Sequence, residues 1–596
     1  FKQNTMLHET RKLLEKNVKY RILGLSFLGG VLGIMIIASL FIGQYAQYSR
    51  GLEELAELSK AINSPLQLGL DMNMLVKEFY KWDLIVKDVI MPPEWYVPNA
   101  IGSAWPAYIN VGYSFWTLIA APENISGIVS EYLWNSSNYI EFQLEGSETE
   151  VMAINQAAPL MWRAGLNYFN KAVKQGLHDS STVRSSNILS ENAANLYELY
   201  YGVNQMVMEE VEKKINYIMS FNIIMIVIVA VIIGLLTLCS LFVYNKVAGK
   251  RVQMLALLSR IQSSDIIEEI TKLEELLFEE VVSLRAQNMT YKKAKTQRSQ
   301  SFRLASGIKS QRKNKLLTVC SLILIFGIAM APFIFSFVQT KTQTEAWNQS
   351  LLQANIWRLS QASLSSLMAN TLRYYYYINA TVEFKEEIYA RRLDDLAKFT
   401  AVNAKLVDFL TGFENLPNRY AYSDAVADQI TGGRDDMCTY MFDNELFTTL
   451  CRNSSQGIGN KGIIQSTNYF LQSLEVIRQK VDLAADQSQA LLNFGKDIVL
   501  IETDLLQKCI NRFLRYSADQ MTSNFLDFMD NVASSALRIF LSIFFSVVLV
   551  LTVIWIVVIK KIEIWLNKTK ALFTILSDRI LENNTVIKNY FINELR

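Results

Sequence analysis

Four long runs of apolar residues, none containing a charged side chain, interrupt a sequence that otherwise mixes apolar and polar positions. Each run is long enough to cross about 30 Å of hydrocarbon as an α-helix. The runs cover residues 22–43, 223–244, 316–338 and 539–559. This pattern predicts an integral membrane protein with four transmembrane helices.

The segments between the runs have the spacing of amphipathic helices. Apolar residues recur every three or four positions, as at Leu352, Ile356 and Leu359, while proline and glycine are scarce. Residues 44–222 and 339–538 are therefore each predicted to form a large helical domain. The stretches leading into the second and fourth runs are expected to run almost continuously into the membrane. The predicted fold class is all-α.

Basic residues lie at both outer ends of the set of four runs. They are Lys12, Lys16, Lys19 and Arg21 before the first run, and Lys560, Lys561, Lys568 and Lys570 after the last. Lysine and arginine favour the cytosolic side of a membrane, so both ends of the chain are predicted to be cytosolic. Residues 1–21, 245–315 and 560–596 then form cytosolic segments, the last two with amphipathic helices, and both large domains face outward.

The order of these elements suggests an internal duplication. A basic segment, a span, an outer domain, a second span and a cytosolic amphipathic helix follow one another twice. The sequence Leu-Leu-Ser-Arg-Ile at 257–261 also lines up with Leu-Ser-Asp-Arg-Ile at 576–580.

Composition narrows the possible functions. The chain is 51% hydrophobic, which suits a membrane protein, and its net charge of +2 indicates neither a nucleic acid nor another strongly charged partner. Its two histidines cannot build a histidine metal cage or supply a serine-protease triad within one copy. We therefore expect a non-enzymatic protein without catalytic residues, cofactor or metal. Gly457, Gly459 and Gly462 lack the preceding strand of a phosphate-binding loop and are interpreted as a flexible loop.

Candidate modification sites lie in the predicted outer segments. Cys438 and Cys451 are close in sequence, and an oxidising compartment would favour a disulfide between them. Five glycosylation sequons begin at Asn124, Asn135, Asn348, Asn379 and Asn453. Three further sequons fall on the predicted cytosolic side, so the topology depends on the charge bias rather than on sequons.

Residues 285–315 of the cytosolic loop carry many basic residues and no acidic one. The basic residues expected to contact anionic lipid are Lys292, Lys293, Lys295, Arg298, Arg303, Lys309, Arg312, Lys313 and Lys315. Ser301 is a candidate phosphorylation site whose modification would weaken that contact. The alternative is an ordinary basic flank of the third span.

Residues 91–116 combine four prolines with seven aromatic residues. We interpret this stretch as an irregular aromatic loop, which either packs on its own domain or binds a ligand or another outer domain.

Two juxtamembrane segments carry a family resemblance. Residues 250–258, Lys-Arg-Val-Gln-Met-Leu-Ala-Leu-Leu, and residues 565–573, Trp-Leu-Asn-Lys-Thr-Lys-Ala-Leu-Phe, lie just inside the second and fourth spans. Here the chain resembles the large protist membrane proteins of the tiny macrocysts type, which are abundant in ciliates. The resemblance implies repeated spans, helical outer domains, a cytosolic PAS region further along the protein and a sensory or scaffolding role. It implies no binding residues.

The expected function is that of a receptor-like, sensor-like or assembly-forming surface protein that couples its outer domains to cytosolic helices. The expected location is the plasma or ciliary membrane, with an endomembrane as the alternative. Expected partners are anionic lipids and other membrane proteins, including a second copy of this chain. The alternative function is a structural or auxiliary subunit of a larger complex, for example with a channel or cyclase. A ligand-sized outer cavity would favour the receptor.

Overall fold

The computed structural model describes most of the chain and is almost entirely helical, as predicted. The described residues are 21–87, 90–92, 94, 96–120, 139–145, 148–258, 271, 304–377, 380–416, 419, 422–439, 445–485 and 498–574.

Ten α-helices and one β-hairpin make up the main elements of the described part. In chain order they are α1 (Arg21–Val86), α2 (Tyr96–Ala120), β1 (Tyr139–Glu145), β2 (Glu148–Ala153), α3 (Ile154–Tyr168), α4 (Ser180–Leu258), α5 (Leu304–Tyr376), α6 (Val382–Gly412), α7 (Asp424–Asp435), α8 (Glu445–Asn453), α9 (Gly462–Ala485) and α10 (Ile498–Thr574). A π-helical turn, Phe169–Lys174, follows α3. Short 3-10 helices at Phe413–Asn415 and Ser454–Lys461 follow α6 and α8.

Helices α1, α4, α5 and α10 each contain a stretch long and apolar enough to cross a membrane, so the prediction of four such helices is confirmed. The stretches are Leu28–Ala56, Tyr201–Gly249, Cys320–Tyr376 and Leu537–Ile564. Each helix extends well beyond its predicted span. The expected continuity of the helices leading into the second and fourth spans is also confirmed, because α4 and α10 are unbroken.

The chain divides into two compact units. The span unit comprises residues 1–46, 221–339 and 536–596, and the bundle unit comprises residues 47–220 and 340–535. The two outer segments, expected to form two separate domains, thus lie together in one unit. The physical reason is a shared hydrophobic core, in which Trp82 and Tyr108 of the first segment belong to the same cluster as Trp357 and Phe513 of the second. The internal duplication stays a prediction.

Polar contacts also join the two segments within the bundle unit. The hydroxyl of Tyr48 donates to Gln343 Oε1 at 2.5 Å, and the amide of Asn204 donates to Asn355 Oδ1 at 2.8 Å. Both members of the second pair are buried, where an unmatched amide would be costly. These bonds favour one specific pairing of the long helices.

The β-hairpin is an element that the sequence interpretation missed. Strands β1 and β2 pair antiparallel with an irregularity between Gln143 and Glu145. Asn192 of α4 accepts from the backbone N–H of Gln143 and donates to its carbonyl, both at 2.8 Å. The side chains of Ile140 and Phe142 are buried, which ties the hairpin to the core.

The prediction of an irregular aromatic loop is wrong for most of residues 91–116, because Tyr96–Ala120 is the helix α2. Pro98 lies in its first turn, where a missing backbone N–H costs nothing, and Pro106 is accommodated inside the helix. The apolar spacing overrides the prolines, since Tyr108 and Val111 face the core.

Within the span unit, aromatic and small residues bring the helices together. The ring of Phe41 on α1 stacks on Phe540 and Phe544 of α10, with centroids 4.0 Å apart in each case. It also meets Phe333 of α5 edge-on at 5.6 Å. Gly33 lies so close to Leu236 that an added Cβ would come within 2.9 Å of that side chain. Small and flat side chains therefore set the spacing of these helices.

Candidate functional site: a buried charge cluster and a polar cleft

The predicted disulfide between Cys438 and Cys451 is present and buried. Its Cα atoms lie 5.6 Å apart, and Gly459 packs so closely that an added Cβ would lie 2.6 Å from the sulfur of Cys438. The glycine-containing segment, interpreted as a flexible loop, is an ordered 3-10 turn with left-handed residues at Ser455 and Gln456. The segment that packs against the disulfide therefore also contains the strained backbone of Ser455 and Gln456.

Two of the five predicted glycosylation sites can be placed. Asn348 on α5 and Asn453 at the end of α8 are exposed, as an acceptor must be. Asn124, Asn135 and Asn379 lie outside the described residues. Glycosylation stays a prediction.

The predicted lipid-contacting residues are only partly placed. Lys309, Arg312, Lys313 and Lys315 lie in the first turns of α5. The remaining five basic residues and Ser301 lie outside the described residues. The lipid contact and the phosphorylation site stay predictions.

The sequence interpretation overlooked five charged side chains that meet inside the bundle unit. We call them the charge cluster: Lys77, Glu78 and Lys81 of α1, with Asp504 and Lys508 of α10. Lys77 and Lys81, like Asp504 and Lys508, are four residues apart, so each pair shares one helix face. None of the five side chains is more than 14% exposed.

Asp504 is the centre of the charge cluster. Its Oδ1 lies 2.9 Å from Lys77 Nζ, and its Oδ2 lies 3.3 Å from Lys81 Nζ and 3.5 Å from Lys508 Nζ. The hydroxyl of Tyr96 also donates to Oδ2 at 2.8 Å. One carboxylate therefore links two helices that are more than 400 positions apart in sequence.

Glu78 supplies the second carboxylate of the charge cluster. It pairs with Lys77 at 3.2 Å, with Lys508 at 3.7 Å and, more closely, with Lys81. Three ammonium groups thus face two carboxylates, which leaves a formal excess of one positive charge in a buried site.

Burial and the neighbouring charges shift the pKa values of four members of the charge cluster. Burial would raise the pKa of Glu78, but the ammonium groups of Lys508, Lys81 and Lys77 outweigh it and hold that pKa at about 2. The same lysines hold the pKa of Asp504 well below its ordinary value despite burial. Burial lowers the pKa of Lys81 to about 8, whereas Asp504 and Glu78 outweigh burial and raise the pKa of Lys508. Lys81 therefore loses its proton at a lower pH than Lys508 does.

Acid is expected to unfold the bundle unit through the two carboxylates. Because folding lowers the pKa values of Glu78 and Asp504, the stability they contribute is present above about pH 4.5 and is lost as the pH falls towards 2. Asp71 and Asp395, whose pKa values burial raises, oppose this trend. Tryptophan fluorescence across pH 6 to 2 measures the transition. Glu78→Gln should reduce the pH dependence of this unfolding transition. If the midpoint and slope of the transition are unchanged in Glu78→Gln, the carboxylate of Glu78 does not contribute to acid unfolding.

The charge cluster begins a polar stripe along α10. Residues 504, 507, 511, 515 and 519 recur at helical spacing and contact other helices of the bundle unit. The amide of Asn511 donates to Ser365 Oγ at 2.7 Å, and Arg515 lies 3.9 Å from Asp71. Asp519 accepts from Arg358 at 2.8 Å. The helical spacing of these polar residues is visible in the sequence, but it does not by itself show that they are buried.

A polar cleft lies among α1, α4, α5 and α6. We call it the Arg373 cleft; its lining is Asn73, Val76, Tyr80, Glu198, Ser366, Ala369, Asn370, Arg373, Arg391, Asp394 and Asp395. Its volume of about 30 Å³ suits roughly two waters or a small ion, whereas drug-sized ligands occupy roughly 300–1,000 Å³. This cleft does not meet the expectation of a ligand-sized cavity.

Most charges around the Arg373 cleft already have partners. Asp395 accepts from Ser366 at 2.7 Å and from Asn370 at 2.5 Å, while burial raises its pKa. Asp394 pairs with Lys398 at 2.6 Å, and Arg391 pairs with Glu387 at 3.1 Å. Across the described ranges no three His, Cys, Asp or Glu side chains converge as metal ligands would.

Comparison of the chain with protein-family models, with curated proteins and with solved structures finds no match. The resemblance to the tiny macrocysts type stays a prediction. Function is therefore inferred from the helices and side chains described above.

Proposed function

We propose that this chain is a non-enzymatic, receptor- or sensor-like membrane protein in which the bundle unit is coupled to the cytosolic ends of the spans. The observation that carries the proposal is the continuity of the long helices. Helices α4 and α10 are each unbroken over residues belonging to both units. An uninterrupted helix transmits a shift or rotation along its length, which a flexible linker would absorb.

The charge cluster supplies a contact that can be kept during such a movement. Asp504 binds Lys77 and Lys81, which are about one turn apart on α1. A shift of α10 along α1 in either direction would part Asp504 from one of these lysines while the other remains paired with it. Packed interfaces favour discrete positions of this kind over continuous sliding.

The same burial argues against a catalytic role for the charge cluster. Its acids and lysines pair with one another and are nearly inaccessible to solvent. A general acid or base must reach the proton it transfers in a bound substrate. We therefore place signal transfer, rather than turnover, in the bundle unit.

The proposal predicts that a change at Asp504 is felt at the far ends of the spans. Spin labels at Val252 and Ile564, both exposed, would report the distance between α4 and α10. The free cysteines Cys239, Cys320 and Cys509 are first replaced. We expect Asp504→Asn to shift the distribution of distances between the two labels by an ångström or more. Double electron–electron resonance spectroscopy measures this shift.

A Gly-Pro insertion after Asn531 should abolish that shift, because it interrupts α10 between the charge cluster and the label. The matched control is the same insertion after Gly176, in an exposed connection outside the long helices, which should preserve the shift. If Asp504→Asn leaves the distance unchanged, or if the α10 insertion does not block the change, the spans are only anchors.

A second candidate function is that of a subunit in a larger membrane complex. It is favoured by an exposed apolar face on α2, where Ile109, Tyr113 and Trp116 are 42%, 70% and 68% exposed. Aromatic residues at such a face are typical of protein interfaces. Trp116→Ser should release a stoichiometric partner from the complex isolated from native membranes. A chain that purifies without a partner would remove this candidate.

A further inference from the structure

We infer that the Arg373 cleft binds a small monovalent anion, either a halide ion or the carboxylate of a small organic acid, through Arg373 and Asn73. This site goes beyond the proposed function, because an anion can occupy it whether or not the helices transmit a signal.

The first observation is a buried guanidinium that forms no direct ion pair. Arg373 on α5 is only 7% exposed, and its Nε has no hydrogen-bond partner. Among the described residues, no carboxylate lies within ion-pair distance of it; the ring of Phe384 lies with its centroid 5.8 Å from the guanidinium carbon. A buried guanidinium without a direct ion-pair partner is unfavourable, and arginine cannot relieve this by losing its proton.

The second observation is an independent donor in the same cleft. Asn73 on α1 is 5% exposed, and its Nδ2 has no acceptor. Most buried polar groups in native proteins are hydrogen-bonded, so two unmatched donors lining one cleft indicate a missing acceptor. The donors come from different helices, and a shared ligand would join α1 to α5.

Chemistry and size define the ligand. Water could accept these hydrogen bonds, but it would leave Arg373 without a direct ion-pair partner. The volume of about 30 Å³ suits a halide ion or a carboxylate group. The planar fork of arginine matches a carboxylate well. The carboxylates of Glu198, Asp394 and Asp395 also line the cleft; they weaken the binding of any anion, and most strongly of one with two or more charges.

Anion-dependent thermal unfolding of the full chain in detergent tests the site. The starting buffer is HEPES without halide or carboxylate, with sodium methanesulfonate to hold the ionic strength constant. Sodium chloride, sodium bromide and sodium acetate are then titrated separately. We expect a saturable rise of a few degrees in the unfolding temperature, since a ligand that binds only the folded state stabilises it. A response to chloride and bromide identifies a halide site, and one to acetate alone identifies a carboxylate site.

Three variants separate the site from general salt effects. Arg373→Met should lose the response, yet unfold no earlier than the parent in the starting buffer, because it removes an unpaired buried charge. Asn73→Leu should weaken the anion affinity at least tenfold. Arg419→Gln is the matched control: it changes an exposed arginine outside the cleft, one already paired with Glu414, and should keep the response.

If Arg373→Met does not fold, Arg373→Gln takes its place, since glutamine removes the charge and keeps a polar side chain, and the anion response should again be lost. The inference is overturned if the parent chain shows no saturable anion effect. It is equally overturned if the effect persists undiminished in the Arg373 variant.

Discussion

Replacing Asp504 by alanine is expected to destabilise the bundle unit by about 3–5 kcal/mol, the usual cost of breaking a buried ion pair by removing one partner. The substitution would leave Lys77, Lys81 and Lys508 with Glu78 as their nearest carboxylate. It would also remove the acceptor of Tyr96. Thermal or urea unfolding of the detergent-purified chain, followed by tryptophan fluorescence, measures the loss.

The matched control for Asp504→Ala is Asp394→Asn. Asp394 is 57% exposed and pairs with Lys398 on the same helix, so its loss should cost less than about 1 kcal/mol. A double variant, Lys77→Met with Asp504→Leu, should recover part of the stability, because apolar residues of similar size can replace a buried pair. Equal losses for Asp504→Ala and Asp394→Asn would show that the charge cluster contributes little.

Gly462→Ala is expected to destabilise the region around the disulfide by about 3 kcal/mol or more, from left-handed backbone strain together with overpacking. Gly462 has a φ of +82°, and an added Cβ would collide with the backbone carbonyl of Arg434. Both constraints come from the backbone, so no flexible side chain can move to relieve them. A maleimide can label the buried thiol of Cys509 only when this region opens, so the labelling rate measures local opening. We expect the labelling to be faster in Gly462→Ala.

Gly412→Ala is the control for this substitution. Gly412 ends α6 with an ordinary φ of −89°, and no atom lies within 4 Å of an added Cβ. Alanine there should be neutral or stabilising by up to about 1 kcal/mol. If Cys509 labels at the same rate in both variants, the backbone at Gly462 is not the constraint that its geometry indicates.

The features predicted correctly from the sequence are those fixed by local pattern. The four apolar runs are long and free of charge, so their helical state follows from length and composition. The disulfide between Cys438 and Cys451 joins cysteines only 13 positions apart, where few other pairings compete. The continuity of α4 and α10 follows from an apolar spacing without proline.

The features that were missed depend on partners distant in sequence. Periodicity identifies the buried face of α1 but does not say that α10, more than 400 residues later, covers it. Polar side chains such as Lys77 and Asp504 are usually solvent-exposed, so their spacing alone does not indicate a buried cluster. The alternation around Ile140 and Phe142 was visible, but it spans few residues between strong helical patterns.

Arg373 and Asn73 illustrate the limit for the candidate site. Neither belongs to a motif, and they lie 300 positions apart. Only the packing of α1 against α5 brings both into one cleft. An unmatched donor is a property of the folded neighbourhood, which sequence spacing does not encode.

The central role of Asp504 has a consequence for biosynthesis. Lys77 precedes Asp504 by 427 residues, so at ~5–20 residues per second the ribosome makes the lysine roughly 20 to 90 seconds before its counter-charge. Until then Lys77 and Lys81 favour water over an apolar interior. The bundle unit therefore cannot complete its core during early synthesis, and α10 is the element that closes it. Ribosome stalling or truncation before residue 504 should leave a protease-sensitive intermediate in which three spans have already been made.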